Sequence, residues 1–226
     1  MLRLSGIVSD RLGARPVVVV SALRGMTDAL LQSVRLASEG DPDGGMAQLD
    51  PQLDRHVSMA SEALAGNEKL TIDRAVADAR DEIKSLLRIV RAHPGTRLPL
   101  QDEIVSYGER LSSLLTAAIL RANGLSAHAV DARRCIVTTD EHGQGAPLPG
   151  RTREQTRAEL LPLVEEGFIP VLGGFIGSAE SGATTSTRGW GTVVSFRKCS
   201  SVPNGVANAA SSVTATSWPF TATLSM

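Results

Sequence analysis

Four consecutive valines, Val17 to Val20, run directly into Ser21-Ala22-Leu23-Arg24-Gly25-Met26-Thr27-Asp28. An unbroken β-branched run without polar alternation suits a strand buried on both faces, as in a parallel sheet. A small hydroxyl and a glycine follow it, then a Thr-Asp pair able to cap the next helix. Ligands in open α/β sheets sit where strands end at their carboxyl edges. The junction therefore reads either as an ordinary strand, turn and helix or as one wall of a binding site.

Periodicity fills in the rest. Leu4, Ile7, Val8 and Leu12 place a helix ahead of the valines. Thr27 to about Ser38 reads as a helix, and Gly40 to Gly45 as a decisive break. A helical pattern through Leu53, Val57, Ala60 and Leu64 puts Pro51 in its first turn. Thr71 to Ala92 is amphipathic and stops at His93-Pro94-Gly95. Leu100 to Ala122 is a long helix in which Gly108 marks a break or a place of close approach. Ala127 to Asp131, Cys135 to Thr138 and Ile169 to Ile176 read as strands, and Thr152 to Glu166 as a helix kinked at Pro162. Strands alternating with helices predict the α/β class, a three-layer α/β/α sandwich around a mainly parallel sheet.

Composition removes several functions. A chain of 226 residues can bury one sizeable core, and a net charge of −1 offers no nucleic-acid-binding surface. Cys135 and Cys199 have neither metal-ligand spacing nor a disulfide framework, which fits a reduced, cytoplasmic compartment. His56, His93, His128 and His142 also lack ligand spacing, so no metal site is expected. No apolar run approaches the roughly 20 residues of a membrane span. The opening Met1-Leu-Arg-Leu-Ser-Gly6 is unlike a signal peptide.

Two segments carry more specific information. Ser21-Ala-Leu-Arg-Gly-Met-Thr-Asp28 and Ser106-Tyr-Gly-Glu-Arg-Leu-Ser112 resemble the aspartate kinases of the amino-acid kinase superfamily. Val130-Asp-Ala-Arg-Arg134 and Ile169-Pro-Val-Leu-Gly-Gly-Phe-Ile-Gly177 extend the resemblance, in order, over roughly Leu2 to Thr185. It implies the carbamate kinase-like fold, here incomplete, with 1–188 a partial kinase domain and 189–226 a divergent tail. It also implies ATP and Mg²⁺ as cofactors, with L-aspartate as the partner. The implied reaction yields 4-phospho-L-aspartate on the route to lysine, threonine and methionine. A homo-oligomer is one state left open.

The resemblance also assigns residues. Glu109 is suited to hold the α-ammonium of an amino acid by a charge-assisted hydrogen bond, and the family's Gly-Glu-Arg glutamate does so. Ser21 and Thr27 map onto hydroxyls facing the aspartate and its phosphate; Thr27 also reads as a helix cap. Arg188 echoes an arginine that clamps the substrate carboxylate. Gly173, Gly174 and Gly177 follow a buried strand, where they either bring backbone amides close to phosphate or permit a tight turn. Arg133 and Arg134 either orient acidic groups or form structural ion pairs.

The departures are equally specific. The family's Lys-Phe-Gly-Gly-Thr-Ser strand is absent from these 226 residues, and no Gly-x-x-x-x-Gly-Lys-Ser/Thr loop replaces it. Thr184-Thr-Ser-Thr-Arg-Gly-Trp-Gly191 stands where the family has Thr-Thr-Thr-Leu-Gly-Arg-Gly-Gly-Ser-Asp, so the Ser-Asp has no counterpart. Cys199 to Met226 holds no charged residue and no legible periodicity. A shifted reading frame would turn codons for Gly-Arg-Gly into Thr187-Arg188-Gly189 and would explain such a tail, in which case Arg188 is a coincidence of frame. The chain is therefore expected to be inactive as it stands. A second reading is a non-catalytic protein that keeps the amino-acid pocket alone. A kinase for a different small acid fits Ser21–Asp28 and Ser106–Glu109 less well.

Overall fold

The computed structural model describes residues 2–187, 194–196 and 213–215. The chain opens with α1 (Leu2–Ser9) and β1 (Val18–Val20). Four helices follow: α2 (Met26–Ser38), α3 (Pro42–Ala63), α4 (Gly66–Ala92) and α5 (Arg97–Ala122). Next come β2 (Ala127–Ala129), β3 (Val137–Thr138), α6 (Pro149–Glu165) and the strands β4 (Ile169–Gly173), β5 (Ile176–Ala179) and β6 (Thr184–Ser186). Two further strands, β7 (Val194–Phe196) and β8 (Val213–Ala215), pair antiparallel. Arg188 and the remainder of the expected tail lie outside the described residues.

β4 organises the strands. It pairs in parallel with β1 on one side and β2 on the other. Its alternate side chains enter different cores, as strand geometry requires. Ile169 and Val171 pack with Leu4 and Val8 of α1 and with Ala117 and Leu120 of α5. Leu172 faces the opposite way, against Leu160 of α6, Ile136 and Ile176. Helices thus cover both faces of β4, and the expected three-layer arrangement with a parallel sheet is what forms. A second small sheet joins β3 to β5 in parallel and β5 to β6 antiparallel.

The larger apolar core is helical. Leu30, Leu49, Leu53, Ile83, Leu87 and Leu115 are fully buried where α2, α3, α4 and α5 meet. α5 is buried nearly all round because it serves this core on one side and β4 on the other. No helix among the described residues is long and apolar enough to cross a membrane.

Several local expectations are corrected. β1 is an edge strand with Val19 41% exposed, not a strand buried on both faces. A β-branched run has the same composition at an edge as in a centre. Leu12 falls outside α1, in a 3₁₀ turn. Neither Thr27 nor Asp28 caps α2; Gly25, at φ +82°, occupies that place without a side-chain cap. The break at Gly40 is short, because Asp41 accepts a bond from the Gly44 N–H at 2.8 Å and starts α3 at Pro42. Pro51 therefore lies inside α3, not in its first turn. α5 runs unbroken through Gly108, where a Cβ would lie 2.9 Å from that of Ala22. Asp131 caps a 3₁₀ turn over Ala132–Arg134 and is no longer strand. Ile169 to Ile176 is divided between two sheets, since the chain leaves β4 at Gly173 and Gly174.

Candidate amino-acid site

One turn of α5 meets the carboxyl ends of β1 and β4. The Ser112 hydroxyl donates to the Ser21 carbonyl at 2.8 Å, just past β1. Gly108 lies against Ala22, and Met26 at the start of α2 packs on the same glycine. Glu109, between these contacts, is 4% exposed. It fits only because β4 ends in a glycine there: a Cβ on Gly173 would sit 2.6 Å from the Cβ of Glu109. Ser21, Glu109 and Gly173 are thereby brought together, with half-buried Thr27 one residue beyond Met26.

The other sequence candidates separate from this group in different ways. The Gly174 N–H donates to the Val20 carbonyl at 3.0 Å, so it extends the β1–β4 ladder. Gly177 lies within β5, where a Cβ would meet the Ile136 carbonyl at 2.8 Å and Thr138 at 2.9 Å. Close strand packing accounts for that glycine. Arg188 is outside the described residues.

Beside the Glu109 turn lies a polar region that sequence reading missed. β6 contributes only hydroxyls: Thr184, Thr185 and Ser186 are all buried. Thr185 and Thr138 share a hydrogen bond at 2.6 Å. Asp102, 1% exposed, accepts the Gly143 N–H at 2.7 Å, a bond from the Ser186 backbone, and the His142 ring at 3.3 Å. Burial pushes its carboxyl above the ordinary range despite these donors. Glu103, one residue on, meets Arg133, Arg110 and Thr184. Burial would raise Asp131, but hydrogen bonds and charge from Arg133 hold it below the ordinary range. Tyr107 gives its hydroxyl to Glu82 and is pushed up to about 12, chiefly by burial.

Asp102 and Glu103 lie just before the Ser106–Ser112 segment that carried the resemblance, and acidic residues near a helix start usually face water. The arrival of β6, of the 3₁₀ turn and of the His142–Gly143 loop, all distant in sequence, encloses them. Among the described residues no group of three or more His, Cys, Asp or Glu side chains could hold a metal ion.

Comparisons to known proteins agree with the fold. The profile of the amino acid kinase family matches residues 3–192. Lysine-sensitive aspartokinase 3 of Escherichia coli is 33% identical over 175 residues, which cover 75% of this chain and 36% of that protein. The chloroplastic bifunctional aspartokinase/homoserine dehydrogenase 1 of Arabidopsis thaliana is 26% identical over 174 residues, 77% of this chain and 19% of its own length. The crystal structure of E. coli aspartokinase III in complex with aspartate and ADP superposes with a TM-score of 0.66 at 29% identity. That match covers 78% of this chain and 37% of the crystallised one. The chain thus spans between 19% and 37% of the length of these relatives.

Proposed function

We propose that this chain, which belongs to the aspartate kinases of the amino acid kinase family, carries the amino-acid-binding part of an enzyme that moves phosphate from ATP to the side-chain carboxylate of L-aspartate. The product, 4-phospho-L-aspartate, would enter amino-acid biosynthesis. The observation that supports the reading best is the position of Glu109. A buried carboxylate stands at the carboxyl ends of two parallel strands, the place where open α/β sheets take their ligands.

In this reading Glu109 holds the α-ammonium, where low solvent exposure strengthens a charged hydrogen bond. Ser21 and Thr27 turn hydroxyls toward the side-chain carboxylate and the arriving phosphate. Gly173 leaves the room that Glu109 occupies at the strand end. Arg188 takes the α-carboxylate. Mg²⁺ bound with ATP would offset the charge of its phosphates. Cys135 is a buried free thiol, pushed up to about 12 chiefly by burial. An inert thiol of this kind suits the cytoplasm.

Titration calorimetry with L-aspartate on the 226-residue chain and on Glu109→Gln tests the assignment. Binding is expected for the unaltered chain. Truncating one partner of a buried charged hydrogen bond costs about 2–5 kcal/mol, so the variant should lose at least tenfold in affinity. Equal affinities would remove Glu109 from the site. A coupled ADP assay on the same sample should stay at background, because the family's lysine strand and Ser-Asp are missing from these 226 residues. Aspartate-dependent turnover would show that another cation serves the phosphate.

A further inference from the structure

Arg133 and Arg134 stand side by side, but only Arg133 is enclosed. Its Nε and Nη2 donate to the Asp131 carboxylate at 2.7–3.1 Å. Its Nη1 reaches both oxygens of Glu103, at 3.1 and 3.2 Å, and the hydroxyl of Thr184 at 3.1 Å. The Thr184 hydroxyl in turn donates a hydrogen bond to Glu103. Guanidinium, hydroxyl and carboxylate close into a ring, each group engaging the other two. Glu103 has a further partner in Arg110, 3.4 Å away, whose guanidinium lies over the Tyr107 ring at 4.4 Å. Arg110 directly follows Glu109. One carboxylate of α5 is therefore linked to β6 on one side and to the neighbour of Glu109 on the other.

β6 needs such a link. It is three residues long, pairs only with β5 among the described strands, and has no apolar side chain to seat in a core. Its place depends on polar bonds: Asp102 takes a bond from the Ser186 backbone, and the ring at Thr184 adds a guanidinium and a second carboxylate.

We infer that Arg133 is a positioning residue. Through Glu103 and Thr184 it fixes β6 against the turn of α5 that presents Glu109. The consequence for aspartate rests on the amino-acid site proposed above; the hold on β6 does not. Only a planar fork can serve Asp131 and Glu103 together, since lysine offers a point charge on a flexible stem. Arg134 shares none of this; it meets Glu159 at 2.8 Å with two thirds of its side chain exposed.

The test compares the full chain with Arg133→Lys, Thr184→Val and Thr184→Ser by amide hydrogen exchange and by aspartate calorimetry. Arg133→Lys and Thr184→Val should speed exchange at β6 by about tenfold or more while α3 and α4 keep their protection. Both should weaken aspartate binding by a similar factor. Thr184→Ser keeps the hydroxyl and should match the unaltered chain in both measurements. Unchanged β6 exchange in Arg133→Lys, or an equal rise throughout the molecule, would overturn the assignment. Faster β6 exchange with unchanged aspartate affinity would also overturn it, leaving only a structural brace. If the unaltered chain binds no aspartate, the reading of the site fails, and β6 exchange by itself decides whether Arg133 holds the strand.

Discussion

The helical core and the seam where α5 meets the strands are held together by opposite means. In the core, side chains fill space: Leu30, Leu53, Ile83 and Leu87 close on one another with no exposed surface. At the seam, side chains are missing where neighbours must come close. Gly108 admits Ala22, and Gly173 admits Glu109. The difference separates two tasks. The helices make α5 rigid, and the seam lets backbone, hydroxyls and carboxylates gather at the strand ends beside it.

This contrast is broken most severely by a hole in the core. Leu87→Ala removes a fully buried side chain from the α2–α5 cluster and should cost about 2–5 kcal/mol, transfer and cavity together. Urea denaturation followed by circular dichroism reads the loss from the midpoint at constant slope. At temperatures where the variant stays folded, aspartate affinity should be unchanged. A loss below about 1 kcal/mol would mean that the core relaxes around the hole, and the division of labour would not stand.

The two regions also differ in how far they can be read from sequence. Helical periodicity located every major helix, since Ile72, Val76, Ile83, Leu87 and Val90 of α4 recur on one face and all are buried. It failed at details that local composition does not encode. Pro51 looked like a helix start because proline lacks an N–H, yet an exposed proline is tolerated within α3. Val17 to Val20 spelled a strand but not its place at an edge. Glu109, Ser21 and Gly173 were legible through the resemblance, and the structure gathers them at one point. Asp102, Glu103 and Thr184 were not, because their enclosure comes from contacts across 30 to 81 positions of sequence.

Filling space at the seam should do moderate damage of a more local kind. Gly173→Ala would place a Cβ 2.6 Å from that of Glu109, an atom fixed to the α5 backbone. Overpacking of this sort costs about 1–3 kcal/mol. Unlike Leu87→Ala, it should also displace Glu109 and weaken aspartate binding by at least as much as the stability lost. Calorimetry and urea denaturation on one preparation make the comparison. A fully tolerated alanine would show that α5 can move away from β4, and the seam would not set the site.

The smallest effect belongs to Arg134, and it sharpens the contrast because its sequence neighbour lies inside the polar ring. The Arg134–Glu159 pair spans 2.8 Å, but the arginine side chain is 67% exposed. Water screens such a pair, and ordering two long side chains offsets much of the attraction, so exposed pairs are worth about 0–1 kcal/mol. Arg134→Ala should therefore shift the urea midpoint by no more than that, and added salt should erase the shift. β6 exchange should not change, since Arg134 touches neither Glu103 nor Thr184. A larger loss that persists in high salt would mean that both arginines brace the turn after Asp131, and enclosure would no longer be what distinguishes Arg133.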